Sequence, residues 1–304
     1  MSEATYIERI ANLHIHSVLS DGSGDVLDIA GAASQAGVDV IIVTDHNVYS
    51  PELEGWYGAT LVLIGEELHN PERPHANHLL VLGARQELLS ATERLQSAVD
   101  AARRAGGWPI IAHPIEHSGA RANEPEINWV DRDVSGLHGL ELWNYMSEFK
   151  SYIHTLIHGL VYAYLPSLAI RGPYPETLRL WDDLLAKECV YAYGGSDGHA
   201  SLYRLGPVRR TILSYRYLFS AVNTHLLLSG DWTGGLETDA SLVYDALARG
   251  RSFIGYDRAA PTAGTRFAAE RGEHVCTFGE SLPGAGPAEL RISLPSRARI
   301  QLLR

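Results

Sequence analysis

The stretch NLHIHSVLSDG, residues 12–22, ends a run of strand-forming residues with two histidines and a tight turn. Side chains two residues apart on a strand point to the same face, so the imidazoles of His14 and His16 converge. Asp21 follows in the SDG turn and can reach both from the loop. Metal-ligand residue types therefore sit where a first strand gives way to the next segment, the place where barrels of parallel strands build their sites. Alone, the pattern is weak. With 14 His in 304 residues, roughly 0.6 His-x-His pairs arise by chance, so its meaning depends on the other strands.

Outward from that stretch, the first 195 residues alternate strand-like and helix-like segments. Strand patterns lie at 9–14, 39–44 (DVIIVT), 60–65 (TLVLIG), 78–82 (HLLVL), 109–112 (PIIA), 139–143 (GLELW) and 190–194 (VYAYG). Amphipathic helical stretches at 25–36 and 91–105 end at Gly37 and Gly106, where a helix C-cap favours glycine. Short apolar strands separated by helices predict an α/β fold of βα units around a parallel sheet, and seven of them suggest barrel-like closure. The connection between the last two strands is long. Over 147–165 it sets Phe149, Tyr152, Ile153, Leu156, Ile157, Leu160, Val161 and Tyr164 on one stripe, read as a packing face. A second helix at 175–187 follows the IRGPYP break. Helices are expected near 215–228 and 239–249, then a strand at RSFIGY. From 257 the chain turns Gly/Pro-rich with short strand patterns (HVCTF, ELRISL, ARIQLL). The division is thus 1–256 as the main unit and 257–304 as a small β appendage. The last strand pattern runs to the C-terminus, which leaves open an incomplete module.

The composition is that of a soluble globular chain, 45% hydrophobic and 20% charged. A net charge of −11 argues against binding nucleic acid or an anionic membrane through bulk electrostatics. A small phosphorylated substrate stays compatible, because bound cations would reverse the local field. Cys189 and Cys276 are the only cysteines, too few for a disulfide framework or a structural zinc site. A reducing cytoplasm is the expected compartment. MSEATYIERI has no signal-peptide pattern, and the longest apolar run, 156–170, is too short to span a bilayer and contains Pro166.

The other strand ends answer the question raised by His14 and His16. VTDHN places His46, IGEEL places Glu66 and Glu67, and the 78–82 strand begins at His78. IAHP places His113, and GGSDGH places Asp197 and His199. Nearly every proposed strand thus delivers a histidine or carboxylate to one end. Six histidines and three carboxylates without a thiolate suit Mn, Fe or Zn, whereas an all-oxygen shell would suit Mg or Ca. Clustered divalent ions lower the pKa of a shared water toward neutrality, so no protein nucleophile is required. Asp45, beside His46, either orients a ligand or caps a helix. Arg171 and Arg204 are candidates for reading a substrate anion. His69, His75 and His117 read as solvated residues near the site loops, and the His154–His158 pair as a solvated helix face.

This set resembles the PHP (polymerase and histidinol phosphatase) family of metal-dependent hydrolases. The family pattern H-x-H…SDG falls on His14, His16 and Asp21, T-D-H on His46, G-x-E on Glu67, the later H and H-P on His78 and His113, and D-x-H on Asp197 and His199. The match covers roughly residues 8 to 200. The resemblance implies a distorted (β/α)7 TIM-like barrel holding three divalent transition-metal ions. It assigns His14, His16 and Asp197 to one ion, His78 and His113 to a second, and Asp21, His46 and His199 to the third. Glu67 bridges the first two, and Glu67 and Asp197 support a metal-bridging hydroxide as nucleophile. Strand parity agrees with Glu67 over Glu66, since Leu63, Gly65 and Glu67 share a face. GLELWN, NTHLLL, LVYDALARGRSFIGYD and LPSRARIQLLR look like the carbamate (carbaryl-type) hydrolase branch. The expected activity is phosphoester hydrolysis. The alternatives are carbamate, ester or amide hydrolysis at the same centre and, from another class, a non-catalytic PHP-type module.

Overall fold

In the computed structural model of the chain, the strand before the paired histidines is Ile7–Asn12 (β1), so His14 and His16 lie just past its end. The structure describes residues 6–120, 125–205 and 208–303, without the side chains of 203–208. After the SDG turn comes the helix Val26–Ala36 (α1). The Asp25 side chain caps it by accepting from the Asp28 N–H, and Gly37 closes it at φ 77°. Next are Val40–Val43 (β2), Gly55–Tyr57 (β3), Thr60–Ile64 (β4), Glu66–Leu68 (β5), Leu79–Leu82 (β6), Leu95–Arg104 (α2), Trp108–Ile111 (β7) and Gly139–Asn144 (β8). The long connection forms Tyr145–Ser151 (α3), Leu156–Tyr164 (α4) and Pro175–Leu185 (α5) before Tyr191–Gly195 (β9). Leu202–Leu205 (β10), Val208–Thr211 (β11), Tyr215–Phe219 (α6), Val222–Leu228 (β12), Leu236–Ala248 (α7) and Ser252–Tyr256 (β13) follow. The tail carries Arg266–Arg271 (β14), His274–Cys276 (β15) and Glu289–Ser293 (β16), paired antiparallel in the order β15-β14-β16.

The α/β class holds, but the parallel sheet is only partly realised. One sheet has the order β13-β12-β1-β2-β4-β3 and the other β5-β6-β7-β8-β9. Among the described residues no single ladder closes them into a barrel. Strands β1, β2 and β4 run parallel, as do β7, β8 and β9, whereas β6 is antiparallel to both β5 and β7. The short segment between β5 and β6 carries no helix, and a parallel crossover needs a dozen or more residues. Buried residues of both sheets, such as Val40, Ile42, Leu61 and Leu63 with Leu80, Leu82 and Ile110, pack into one core.

Three expectations about elements fail. The stretch 215–228 is not one helix. It is a short helix followed by β12, which pairs antiparallel with β1 and β13 and is buried along its whole length. A segment buried on every side loses the alternation that separates strand from helix. The stripe over 147–165 splits at 152–155, where Thr155 caps a new helix. Phe149 packs in the interior, but Leu156, Ile157 and Leu160 are 76%, 71% and 64% exposed. ARIQLL forms no strand and is exposed. No helix among the described residues is long and apolar enough to cross a membrane.

Candidate metal centre

Glu67 is fully buried at the middle of the cluster. Its Oε1 lies 2.7 Å from His78 Nδ1 and 3.0 Å from His113 Nε2. Its Oε2 lies 3.0 Å from His14 Nε2, 3.1 Å from His16 Nε2 and 3.2 Å from His46 Nδ1. Glu66, on the opposite face of β5, makes no ion pair with these rings, and burial raises its pKa to about 7. Asp197 Oδ1 stands 3.4 Å from His16 Nε2, 3.6 Å from His14 Nε2 and 3.4 Å from His199 Nδ1. Asp21 reaches His199 Nε2 at 3.1 Å and His16 and His46 at 3.7 Å. All nine residues of the expected set therefore meet in one place. His113 (φ 23°) and Asp197 (φ 52°) hold backbone angles uncommon outside glycine, a cost met where the surrounding structure fixes a functional side chain.

Hydrogen bonds behind the rings decide which nitrogen faces inward. His14 Nδ1 lies 3.2 Å from both oxygens of Glu141, which also accepts from the His113 N–H and the Asn144 side chain. His78 Nε2 donates to the Pro74 carbonyl, and His199 Nδ1 to the Asp197 carbonyl. With those protons placed outside, the nitrogens left facing the carboxylates present lone pairs, the arrangement that metal-binding histidines adopt. His14 Nε2 then stands 3.1 Å from His16 Nε2, a separation that a shared proton or a common cation can bridge. Asp45 accepts from the Ser17 N–H and from the Ser17 and Ser20 hydroxyls. It ties down the loop that carries Asp21 and caps no helix.

The electrostatics show the same demand for positive charge. Burial opposes ionisation of His14, but Asp197, Glu141 and Glu67 hold it well above the ordinary imidazole value. His113, beside Glu67, and His199, beside Asp21, rise to about 9 against the same burial. Burial would raise the carboxylates, yet the imidazoles hold Glu67 and Asp197 well below their usual values and Asp21 at about 2. Burial prevails at His46, lowered to about 3. The protein alone answers its buried carboxylates with protons on histidine, and divalent ions bound to the same nitrogens would replace those protons.

Four groups have ligand atoms within 4.8 Å of one another: His14, His16 and Asp197; His16, Asp21, His46 and His199; His14, Glu67 and His113; and His46, His69 and His78. The first is one of the expected triads, and the second adds His16 to another. His78 and His113 meet through Glu67 Oε1. His69 is not the solvated residue its sequence position suggests, since its ring stacks on His78 at 4.6 Å and meets the edge of His46 at 5.1 Å. Burial lowers its pKa to about 4. It shares strand parity with Glu67, a signal present in the sequence. Glu141 was also missed; a carboxylate inside the apolar strand GLELWN was the available sign.

Arg171 is not brought to this cluster. Its guanidinium lies over the Tyr152 ring at 4.6 Å, and its backbone N–H donates to Glu148. The side chain of Arg204 lies outside the described residues. A cavity of about 190 Å³ opens above the donors, lined by seven of the nine and by Glu116 and Lys150.

No family model and no curated protein matches the chain. Several solved structures overlap with it. A two-domain protein from Bacteroides vulgatus ATCC 8482, described as containing a predicted PHP-like metal-dependent phosphoesterase, is 13% identical. That overlap covers 96% of this chain and 88% of that one with a TM-score of 0.48. A lesion-specific endonuclease from Pyrococcus furiosus is 12% identical over 82% of this chain and 58% of that one, with a TM-score of 0.45. An amidohydrolase from Chromobacterium violaceum is 16% identical over 68% and 95%, with a TM-score of 0.35. At these identities and overlaps, the likenesses fix neither activity nor substrate for this chain.

Proposed function

We propose that this chain is a PHP-type metal-dependent hydrolase of phosphate esters, with residues 1–256 forming a distorted barrel around three divalent ions and 257–304 an appendage. The observation that supports it most is the meeting of His14, His16, Asp21, His46, Glu67, His78, His113, Asp197 and His199 around the buried carboxylates of Glu67 and Asp197, with His14, His78 and His199 oriented from behind. Nine such side chains exceed what one or two ions ordinarily take from protein. Bound Mn, Fe or Zn would supply Lewis-acid polarisation of the substrate and a water ionised near neutral pH.

The protein's own part is positional. Glu67, with an oxygen toward each half of the cluster, fixes the spacing between the halves. Asp197 and Asp21 hold His199 from its two sides. Glu141 keeps His14 in one tautomer, and Asp45 fixes the turn that brings Asp21 back to the histidines.

The test is a panel of aryl phosphate mono- and diesters, aryl carbamates and carboxylesters, assayed before and after chelation and reconstitution. Metal-dependent turnover of phosphate esters is expected. Turnover confined to carbamates or carboxylesters would assign the carbonyl chemistry instead, and a reconstituted protein that retains no metal would be a non-catalytic module.

A further inference from the structure

Among the described residues, the cavity above the donor cluster has one lysine and no arginine in its wall. Lys150 lies near the end of α3, with its side chain only 8% exposed, and its ammonium sits 2.7 Å from Glu116 Oε2. Glu116 is itself fixed by the Ile127 N–H at 2.8 Å and the Ser147 hydroxyl at 2.5 Å. The helix carrying Lys150 is keyed to the donors: Asn144 caps it while its side-chain amide donates to Glu141 and, at 3.3 Å, to Asp197. Lys150 thus stands in rigid register with the cluster.

An ammonium has three hydrogens. Among the described residues Lys150 uses two of them, toward Glu116 and, at 3.4 Å, toward the Pro125 carbonyl. The third is left on a residue that faces the cavity. Apolar residues can replace a buried ion pair with little loss of stability, so stability alone does not account for this pair beside the donor cluster.

We propose that Lys150 is the substrate's anion clamp, donating this third hydrogen to a terminal phosphoryl oxygen, and that it makes phosphate monoesters the preferred substrate class. This rests on the phosphoesterase reading above. A monoester has three terminal oxygens and a diester two. Only the monoester can give two oxygens to the cluster and still offer one to the ammonium. Glu116 acts through Lys150 by aiming it.

Two variants test this in Mn-reconstituted protein: Lys150→Met, and Glu116→Gln/Lys150→Met, which removes the pair without stranding a buried carboxylate. Binding of inorganic phosphate is measured by calorimetry. Turnover is measured on p-nitrophenyl phosphate and bis-p-nitrophenyl phosphate. Both variants are expected to bind phosphate at least tenfold more weakly and to lose at least tenfold in kcat/KM on the monoester, with the diester within threefold of wild type. Unchanged phosphate binding in Lys150→Met, or binding restored in the double variant, overturns the proposal, as does an equal loss on both esters. Wild type that binds phosphate through Lys150 but hydrolyses neither ester would remove the phosphoesterase reading while leaving the anion clamp in place.

Discussion

Glu67 meets five imidazoles with two oxygens, so Glu67→Gln removes the negative charge and one of the two oxygens that would bind ions between those rings. Turnover should fall by at least about a hundredfold, whereas Glu66→Gln, on the far face of β5, should stay within about threefold. Equal, severe losses from both would contradict the assignment. Glu141→Gln should weaken metal affinity by about tenfold to a hundredfold without removing a ligand, because the amide no longer fixes the His14 tautomer; a metal titration reads this directly. At this scale the sequence was informative where a ligand follows a strand end, since parity separates Glu67 from Glu66. It was less so for Glu141 and Lys150, whose roles depend on how β8 and α3 approach residues distant in the chain. Arg171 shows the converse: the stiff IRGPYP loop suggested an anion reader, but the fold turns its guanidinium onto Tyr152.

Among the elements, β12 departs most from its sequence pattern, and it carries a buried histidine. His225 lies between Glu8 of β1 (2.8 Å) and Asp257 (3.2 Å), with Thr262 at 3.1 Å and Phe253 stacked on its ring. Arg266 in turn pairs with Glu8. Burial opposes the charge of His225, but Asp257 and Glu8 overcome it and hold the pKa at about 9. Because this lies above the unfolded value near ~6.5, the stabilisation is complete below that value and is lost as pH rises through about 9. The melting temperature of wild type should therefore fall between pH 7 and 10 more steeply than that of His225→Gln, and parallel profiles would contradict the linkage. The helical stripe of 149–164 shows how an element misleads. Its apolar spacing is helical throughout, but the break before Thr155 starts a second helix and leaves the Leu156, Ile157 and Leu160 face exposed.

For the whole molecule, two sheets and one shared core bring strand ends that are distant in sequence to a single donor cluster. Three of its histidines are raised well above the ordinary value when only protons are available to balance the carboxylates. Metal binding must displace those protons, so divalent-metal affinity should rise with pH from about 6 to 9, and calorimetry in buffers of different ionisation enthalpy should detect proton release. Binding without proton release would mean that the ions sit elsewhere. Whether the nine converging side chains form one multinuclear centre is read out by elemental analysis of carefully reconstituted, desalted protein. Three divalent transition-metal ions per chain are expected; a stoichiometry of one or none would rule the multinuclear centre out.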